Sequence, residues 1–366
     1  MRMKRAVLCV VNPQDYIDQL ANYSIMIVNP AASNLRKQYL LARADWSLKI
    51  DEQGFHHRAG GDYGKERLLW YTSGTTGDSK FCSFDQAQLD HMASRICKDY
   101  EITANDRYVG IMPLWHAHGQ GFYWATKMAQ CQTDFISIAE IRTMPTYHPT
   151  FVTAVPDVLK LIAQLDVKSL RFVRGASAAL PEHLYLSLKQ KFACPVIEAF
   201  GMTEALSHCF TNPLHGEQRI GTIGLPSGVE ARIVNEELFI RGFTVCNSEW
   251  YGTGDHADQD EKGYYRILGR VRDQINVKGY KLNPVSIEKQ LQNLIPDLGE
   301  CVIYGQDRVH CLYTGSADKN KLFQNLIAIH TSCKPVLLEQ VEKIPIGDSG
   351  KLSRSWLAKN YKSIKL

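Results

Sequence analysis

The stretch 151–201 admits few folds. Phe151-Val152-Thr153-Ala154-Val155 is a short strand-like run, and Pro156 behind it opens a helix on which Val158, Leu161, Ile162 and Leu165 share one face. The pattern then repeats. Leu170 to Arg174 reads as a strand closed by Gly175, Pro181 starts a helix with Leu184 and Leu188 inward, and Pro195 to Ala199 reads as a strand ending at Gly201. Strands alternating with amphipathic helices predict an α/β chain with parallel sheets and crossover helices. Ligands of such sheets lie at the carboxyl ends of the strands, where Gly175-Ala176-Ser177 and Gly201-Met202-Thr203-Glu204 fall.

A second feature asks for an anion. Tyr71-Thr72-Ser73-Gly74-Thr75-Thr76-Gly77-Asp78-Ser79-Lys80 packs hydroxyls, two glycines and a lysine into one loop after the apolar Leu68-Leu69-Trp70. Gly74 and Gly77 let backbone N–H groups converge, the hydroxyls add donors and Lys80 adds charge, so the loop reads as a phosphate cradle. It is not a Walker loop, because two residues separate its glycines and Phe81 follows Lys80. Taken alone, it could equally be a polar hairpin turn.

Composition excludes more than it selects. With 366 residues, 45% apolar and 22% charged, the chain has the make-up of an ordinary soluble protein and exceeds one core, so two domains are expected. A formal charge of +4 with no long basic run argues against nucleic acid as partner. Ten scattered cysteines without a C-x-x-C pair predict reduced thiols and a cytoplasmic location. The basic, then apolar opening from Met1 to Val11 lacks a cleavage site and reads as a first strand, with strand-helix-strand signals over residues 5 to 30; no segment is long enough for a membrane span. Past Gly269 a compact α+β unit is expected. Asn283 and Pro284 would cap a helix with Ile287, Leu291 and Leu294 inward, followed by strands at Cys301 to Tyr304 and Val309 to Thr314 and a helix from Lys319 to Ala328.

Five motifs in order resemble the AMP-forming adenylate-forming superfamily, the acyl- and aryl-CoA ligases with their luciferase and peptide-synthetase relatives. After the 71–80 loop come Met112-Pro113-Leu114-Trp115-His116-Ala117-His118-Gly119, Ala199-Phe200-Gly201-Met202-Thr203-Glu204, Tyr251-Gly252-Thr253-Gly254-Asp255, Gly269-Arg270 through Pro284, and Pro345-Ile346-Gly347-Asp348-Ser349-Gly350-Lys351. The resemblance spans Trp70 to Arg354. It implies a shortened N-terminal adenylate-forming domain, residues 1–269, and a small mobile C-terminal lid, residues 270–366, which carries the catalytic lysine.

It also implies the roles. Thr72, Ser73, Gly74, Thr75, Thr76, Gly77 and Lys80 would hold the phosphates of ATP. Phe200 and Gly201 would meet the adenine, and Asp255 and Arg270 the ribose. Thr203, Glu204 and Lys351 would be catalytic, with Glu204 holding Mg²⁺. His116, Gly175, Ala176, Ser177 and Ser207 would line the acyl pocket, with His118 open between pocket and core. Gly279 and Lys281 would meet CoA after rotation about the hinge at Arg272. Two departures stand out: Arg272 occupies a hinge position usually acidic or lysine, and Asn276 replaces a usual lysine.

The matching pocket stretch carries no carboxylate for an α-ammonium, so an α-amino acid is disfavoured; the look is that of small-acid, oxalate-type and succinylbenzoate CoA ligases. The expected partners are a small carboxylic acid and CoA, or a phosphopantetheine carrier protein, and a homodimer is left open. Three function classes stand: a CoA ligase with both half-reactions, a stand-alone adenylating enzyme that loads a carrier protein, and a non-catalytic nucleotide-binding relative.

Overall fold

The computed structural model describes residues 4–10, 12–32, 34–44, 48–57, 65–71, 80–246, 249–345, 352 and 354–361. The chain divides into two compact units. The first comprises residues 1–231, 240–251 and 259–266, and the second residues 232–239, 252–258 and 267–366.

In the first unit the expected alternation builds a seven-stranded sheet. Its order is Leu225–Pro226, Phe210–Thr211, Val196–Phe200, Phe172–Gly175, Phe151–Ala154, Arg107–Gly110 and Gln132–Phe135. The five strands from Val196–Phe200 onward in that order pair in parallel. One face packs on the helices Gln86–Tyr100 and Ala117–Met128 through Phe151, Phe172, Tyr100 and Phe122. The other packs on Pro156–Ile162 and Glu182–Phe192 through Val152, Val173, Leu159 and Leu188. A second sheet has the order Gly54–His57, Leu48–Asp51, Lys4–Leu8, Tyr23–Ile27, Glu66–Tyr71 and Phe81–Asp85. The opening residues thus form a parallel strand-helix-strand piece, as their pattern predicts.

One helix face differs from its expectation. Leu159 is buried and Leu161 is 39% exposed. The helix ends at Ile162, so Leu165 is not on it, and Pro156, Leu159 and Ile162 make the inward stripe at three-residue spacing.

The second unit has a hairpin, Ile275–Val277 with Tyr280–Leu282, then the helix Pro284–Leu294. A sheet in the order Leu298–Tyr304, Val309–Gly315, Pro335–Gln340 follows, with helices Lys319–Ile329 and Arg354–Asn360. Asn283 caps the first helix by accepting from the Ser286 N–H at 3.2 Å. Ile287 and Leu291 are buried, but Leu294 is 52% exposed and Glu288 is buried in its place.

The reason for that exchange is an ion pair. Arg354 Nη2 lies 2.8 and 2.6 Å from the two Glu288 oxygens, the Ile303 N–H donates to Oε1, and Arg354 Nε donates to the Ile303 carbonyl. Burial raises the Glu288 pKa while Arg354 opposes the shift. Arg354→Met leaves a buried carboxylate with one N–H partner and should cost about 3–5 kcal/mol. Adding Glu288→Leu should recover most of that loss. Hydrogen exchange in Leu298–Tyr304 reads both variants, and equal destabilisation of the single and double variants would refute the account.

Candidate active site

The first unit gathers half of the expected residues at its strand ends. Val196–Phe200 delivers Phe200 half-buried, edge-on to Phe210 with ring centroids 6.0 Å apart. The chain then turns through Gly201 into the short helix Thr203–Ala205. Gly201 is required by space: a Cβ there would lie 1.2 Å from the Ser207 carbonyl oxygen. Ser207 has φ +79, is 8% exposed, and packs against Gly121, whose added Cβ would be 2.7 Å from Ser207 Oγ. Leu206 is also left-handed, at φ +52, so the turn after Glu204 holds two non-glycine residues in a disfavoured region, a form of local strain that clusters at functional sites.

Thr203 and Glu204 stand half-buried on this turn, and the Cys246 N–H donates to the Glu204 carbonyl at 2.7 Å. Burial, then the negative charge of Glu204, push the Tyr251 phenol pKa up. Lys80, the last residue of the glycine loop, is exposed. Its charge and that of Glu204 both reach the Cys82 thiol, whose pKa is raised first by a hydrogen bond with Cys246 and by burial. Thr72, Ser73, Gly74, Thr75, Thr76 and Gly77 lie outside the described residues. Their flanking strands pair antiparallel with Tyr71 opposite Phe81, so the loop leaves and re-enters the sheet at one point.

Gly175 and Ala176 are buried where Phe172–Gly175 ends, and Ser177 is exposed with φ +70. His116 is exposed at the N-terminus of Ala117–Met128 beside the Trp115 ring. His118, the second residue of that helix, is buried at 8% exposure and bonded to Ser177 and Thr153. Arg174, which sequence reasoning missed, joins it. Its signal was a charged residue at an inward position of an apolar strand.

The remaining expected residues belong to the second unit. Asp255 is 2% exposed and pairs with Arg270, Nε to Oδ1 at 3.1 Å and Nη1 to Oδ2 at 3.2 Å. Burial nevertheless wins and raises the Asp255 pKa to about 6, because the Arg270 side chain is 48% exposed and water screens its charge. Arg272 is exposed in the short helix Val271–Asp273, 3.8 Å from the Asp273 carboxylate. Lys278 and Gly279 make the two-residue hairpin turn at φ +51 and +90, with open space around Gly279 and Lys281 exposed nearby. Asn276 has a local reason to be there: its side-chain oxygen accepts from the Gly279 N–H at 3.0 Å. Lys351 lies outside the described residues.

All ten cysteines carry free thiols. Among the described residues no helix is long and apolar enough to cross a membrane.

The parallel sheet and the small α+β unit agree with the fold of the adenylate-forming enzymes. Residues 41–242, more than half of the chain, match the family described as AMP-binding enzyme, and the protein belongs to that family. The match begins upstream of Trp70, where the recognisable motifs start. The chain is 28% identical over 349 residues to oxalate–CoA ligase of Arabidopsis thaliana, covering 80% of this chain and 67% of that protein. It spans between about half and two thirds of the length of the curated relatives it matches. Among solved structures, ATP-bound MatB from Rhodopseudomonas palustris superposes with a TM-score of 0.85 at 19% identity, over 100% of this chain and 90% of that one. O-succinylbenzoate coenzyme A synthetase from Bacillus subtilis, in complex with ATP and magnesium ion, superposes with a TM-score of 0.82 at 18% identity, over 98% and 90%.

Proposed function

We propose that this protein uses ATP to convert a small carboxylic acid into an acyl-adenylate with release of pyrophosphate, and then passes the acyl group to CoA. The observation that carries this reading is the Phe200 to Glu204 turn, seated on the carboxyl end of a parallel strand and locked by the close approach of Gly201 to Ser207. Family membership and the names of the matched relatives, the Arabidopsis oxalate–CoA ligase among them, support the same chemistry.

Each residue has a task in it. The 71–80 loop with Lys80 holds the β- and γ-phosphates that leave together, and Phe200 covers the adenine. Thr203 donates to the α-phosphate. Glu204 suits a hard cation, since it stands half-buried and its carboxylate offers several lone pairs. When bound there, Mg²⁺ would neutralise phosphate charge as pyrophosphate departs. Asp255, oriented by Arg270, accepts from the ribose hydroxyls. Lys351, carried on the lid formed by residues 270–366, meets the charge that develops between carboxylate and α-phosphate. Rotation about Arg270 to Arg272 then replaces Lys351 with the Gly279 turn, where open space admits a pantetheine arm and Lys281 meets CoA phosphate.

The test is acid-dependent pyrophosphate release across a panel of acids, repeated with CoA. Pyrophosphate without thioester, together with acylation of a phosphopantetheine carrier, would transfer the second half-reaction to a carrier protein. Nucleotide binding with no acid-dependent release would overturn the reading.

Asp255 makes the pH dependence specific. Only its carboxylate form accepts from both ribose hydroxyls, so kcat/KM for ATP should rise as pH passes about 6, and Asp255→Asn should remove that limb. Stability runs the other way. A carboxyl raised from 3.8 to about 6 on folding contributes stability below pH 3.8 that is lost as pH climbs through 6. Asp255→Asn should therefore stabilise the second unit at pH 8, by on the order of 2 kcal/mol, while weakening ATP use. A variant that keeps the limb would show that another group titrates.

A further inference from the structure

The strand Phe81–Asp85 passes directly into the helix Gln86–Tyr100, and two hydrogen bonds fix the junction. Asp85 caps the helix by accepting from the Gln88 N–H at 2.9 Å, and Gln88 Oε1 accepts from the Asp85 N–H at 3.0 Å. This reciprocal cap holds the Gln88 side chain in one place and uses only its oxygen. The amide nitrogen is left to donate outward, and it donates to the Phe243 carbonyl at 2.8 Å, 155 positions along the chain. Phe243 is itself 55% exposed, and the His91 ring, three residues beyond Gln88 on the same helix, meets the Phe243 ring edge-on at 5.5 Å.

The segment held in this way leads to the acidic turn. Gly242 is pressed against backbone, since an added Cβ would lie 2.8 Å from the Gly228 carbonyl oxygen. Thr244 and Val245 are buried, and the Val245 N–H donates to the Gly242 carbonyl at 3.1 Å. The Cys246 N–H then donates to the Glu204 carbonyl at 2.7 Å. That bond ties the turn to a distant segment. Leu206 and Ser207 hold left-handed conformations in the same turn, and such strain persists only where surrounding contacts over-determine the backbone.

We propose that Gln88 is a positioning residue for acid activation. By holding the Phe243 carbonyl it sets segment 242–246, and through the Cys246 N–H it fixes the backbone that carries Thr203 and Glu204. Gln88 touches neither nucleotide nor acid; it acts through main-chain groups alone. The inference rests on the acid-activating reading and adds a residue to it.

Two substitutions separate the bridge from the cap. Gln88→Glu keeps the capping oxygen, since glutamate is a usual partner in such a cap, but sets a carboxylate against the Phe243 carbonyl. Gln88→Lys does the reverse: it gives up the cap and still offers a donor. A neutral hydrogen bond at a partly exposed site sets the scale, so Gln88→Glu should lower kcat for acid-dependent pyrophosphate release about 5- to 10-fold, with KM for ATP within about 2-fold of wild type and Tm unchanged. Gln88→Lys should keep most of the turnover and lower Tm, because a cation replaces the cap at a helix N-terminus. A purely structural role predicts the opposite order. Hydrogen exchange reads the tie without turnover: the Cys246 amide should exchange about 10-fold faster in Gln88→Glu and near the wild-type rate in Gln88→Lys. If Gln88→Glu keeps wild-type kcat, or its Cys246 amide stays as protected as before, the inference fails while acid activation stands. If wild type releases pyrophosphate with no acid, the acid-activating reading fails instead, and the Cys246 exchange rates alone then decide the tie, a faster rate in Gln88→Glu supporting it and an equal rate refuting it.

Discussion

Lys351→Ala abolishes acid-dependent pyrophosphate release, with a fall of at least ~10²-fold in turnover, and leaves ATP affinity within a few-fold of wild type. The asymmetry follows from when the charge is needed. In the proposed ground state the 71–80 loop, Phe200 and Asp255 already hold the nucleotide, so the Lys351 ammonium adds little. In the adenylation transition state negative charge builds where carboxylate and α-phosphate meet, and a preorganised ammonium there has no substitute. Single-turnover pyrophosphate release and equilibrium binding of ATP separate the two effects. Retained turnover in the purified variant would take the catalytic role away from Lys351. A thioester step that stays intact when the variant is given preformed acyl-adenylate would place the lysine in the first half-reaction alone.

Gly201→Ala destabilises the first unit by about 3 kcal/mol or more, a drop on the order of 10 °C in Tm. An added Cβ would sit 1.2 Å from the Ser207 carbonyl oxygen and 2.4 Å from its carbon, both backbone atoms with no rotamer to give way. Any relief moves Thr203 and Glu204, so acid activation falls along with stability. Gly175→Ala is the control. Its Cβ would meet only Leu180 and Leu159 side chains at 3.3 and 3.4 Å, which can shift at a cost of about 1 kcal/mol. Equal Tm values for the two variants would show that the 201–207 turn can open without loss.

The contrast between these glycines shows what a linear reading misses. Gly201 reads as part of an adenine-binding motif, and nothing in the neighbouring residues announces that it is pressed against Ser207 six positions on. The same holds for Asn276. As a letter it is a departure from a familiar lysine; in the hairpin its oxygen closes the turn at Gly279.

The alternation of strands and prolines around 151–201 determined the parallel sheet and the end of it that carries the proposed site, because period and punctuation are local properties of the chain. The cap at Asn283, the inward Leu184 and Leu188, and the order of the motifs were legible for the same reason. Tertiary structure alone decided which polar groups could be buried. Leu294 gave up its inward place to Glu288 because Arg354, 66 positions away, supplies the matching charge. Arg174 is tolerated inside a strand because Tyr100, Thr153 and His118 arrive from three other elements to accept its protons. The free energy of a buried charge depends on partners brought by distant segments, and no window of sequence around the charged residue contains them.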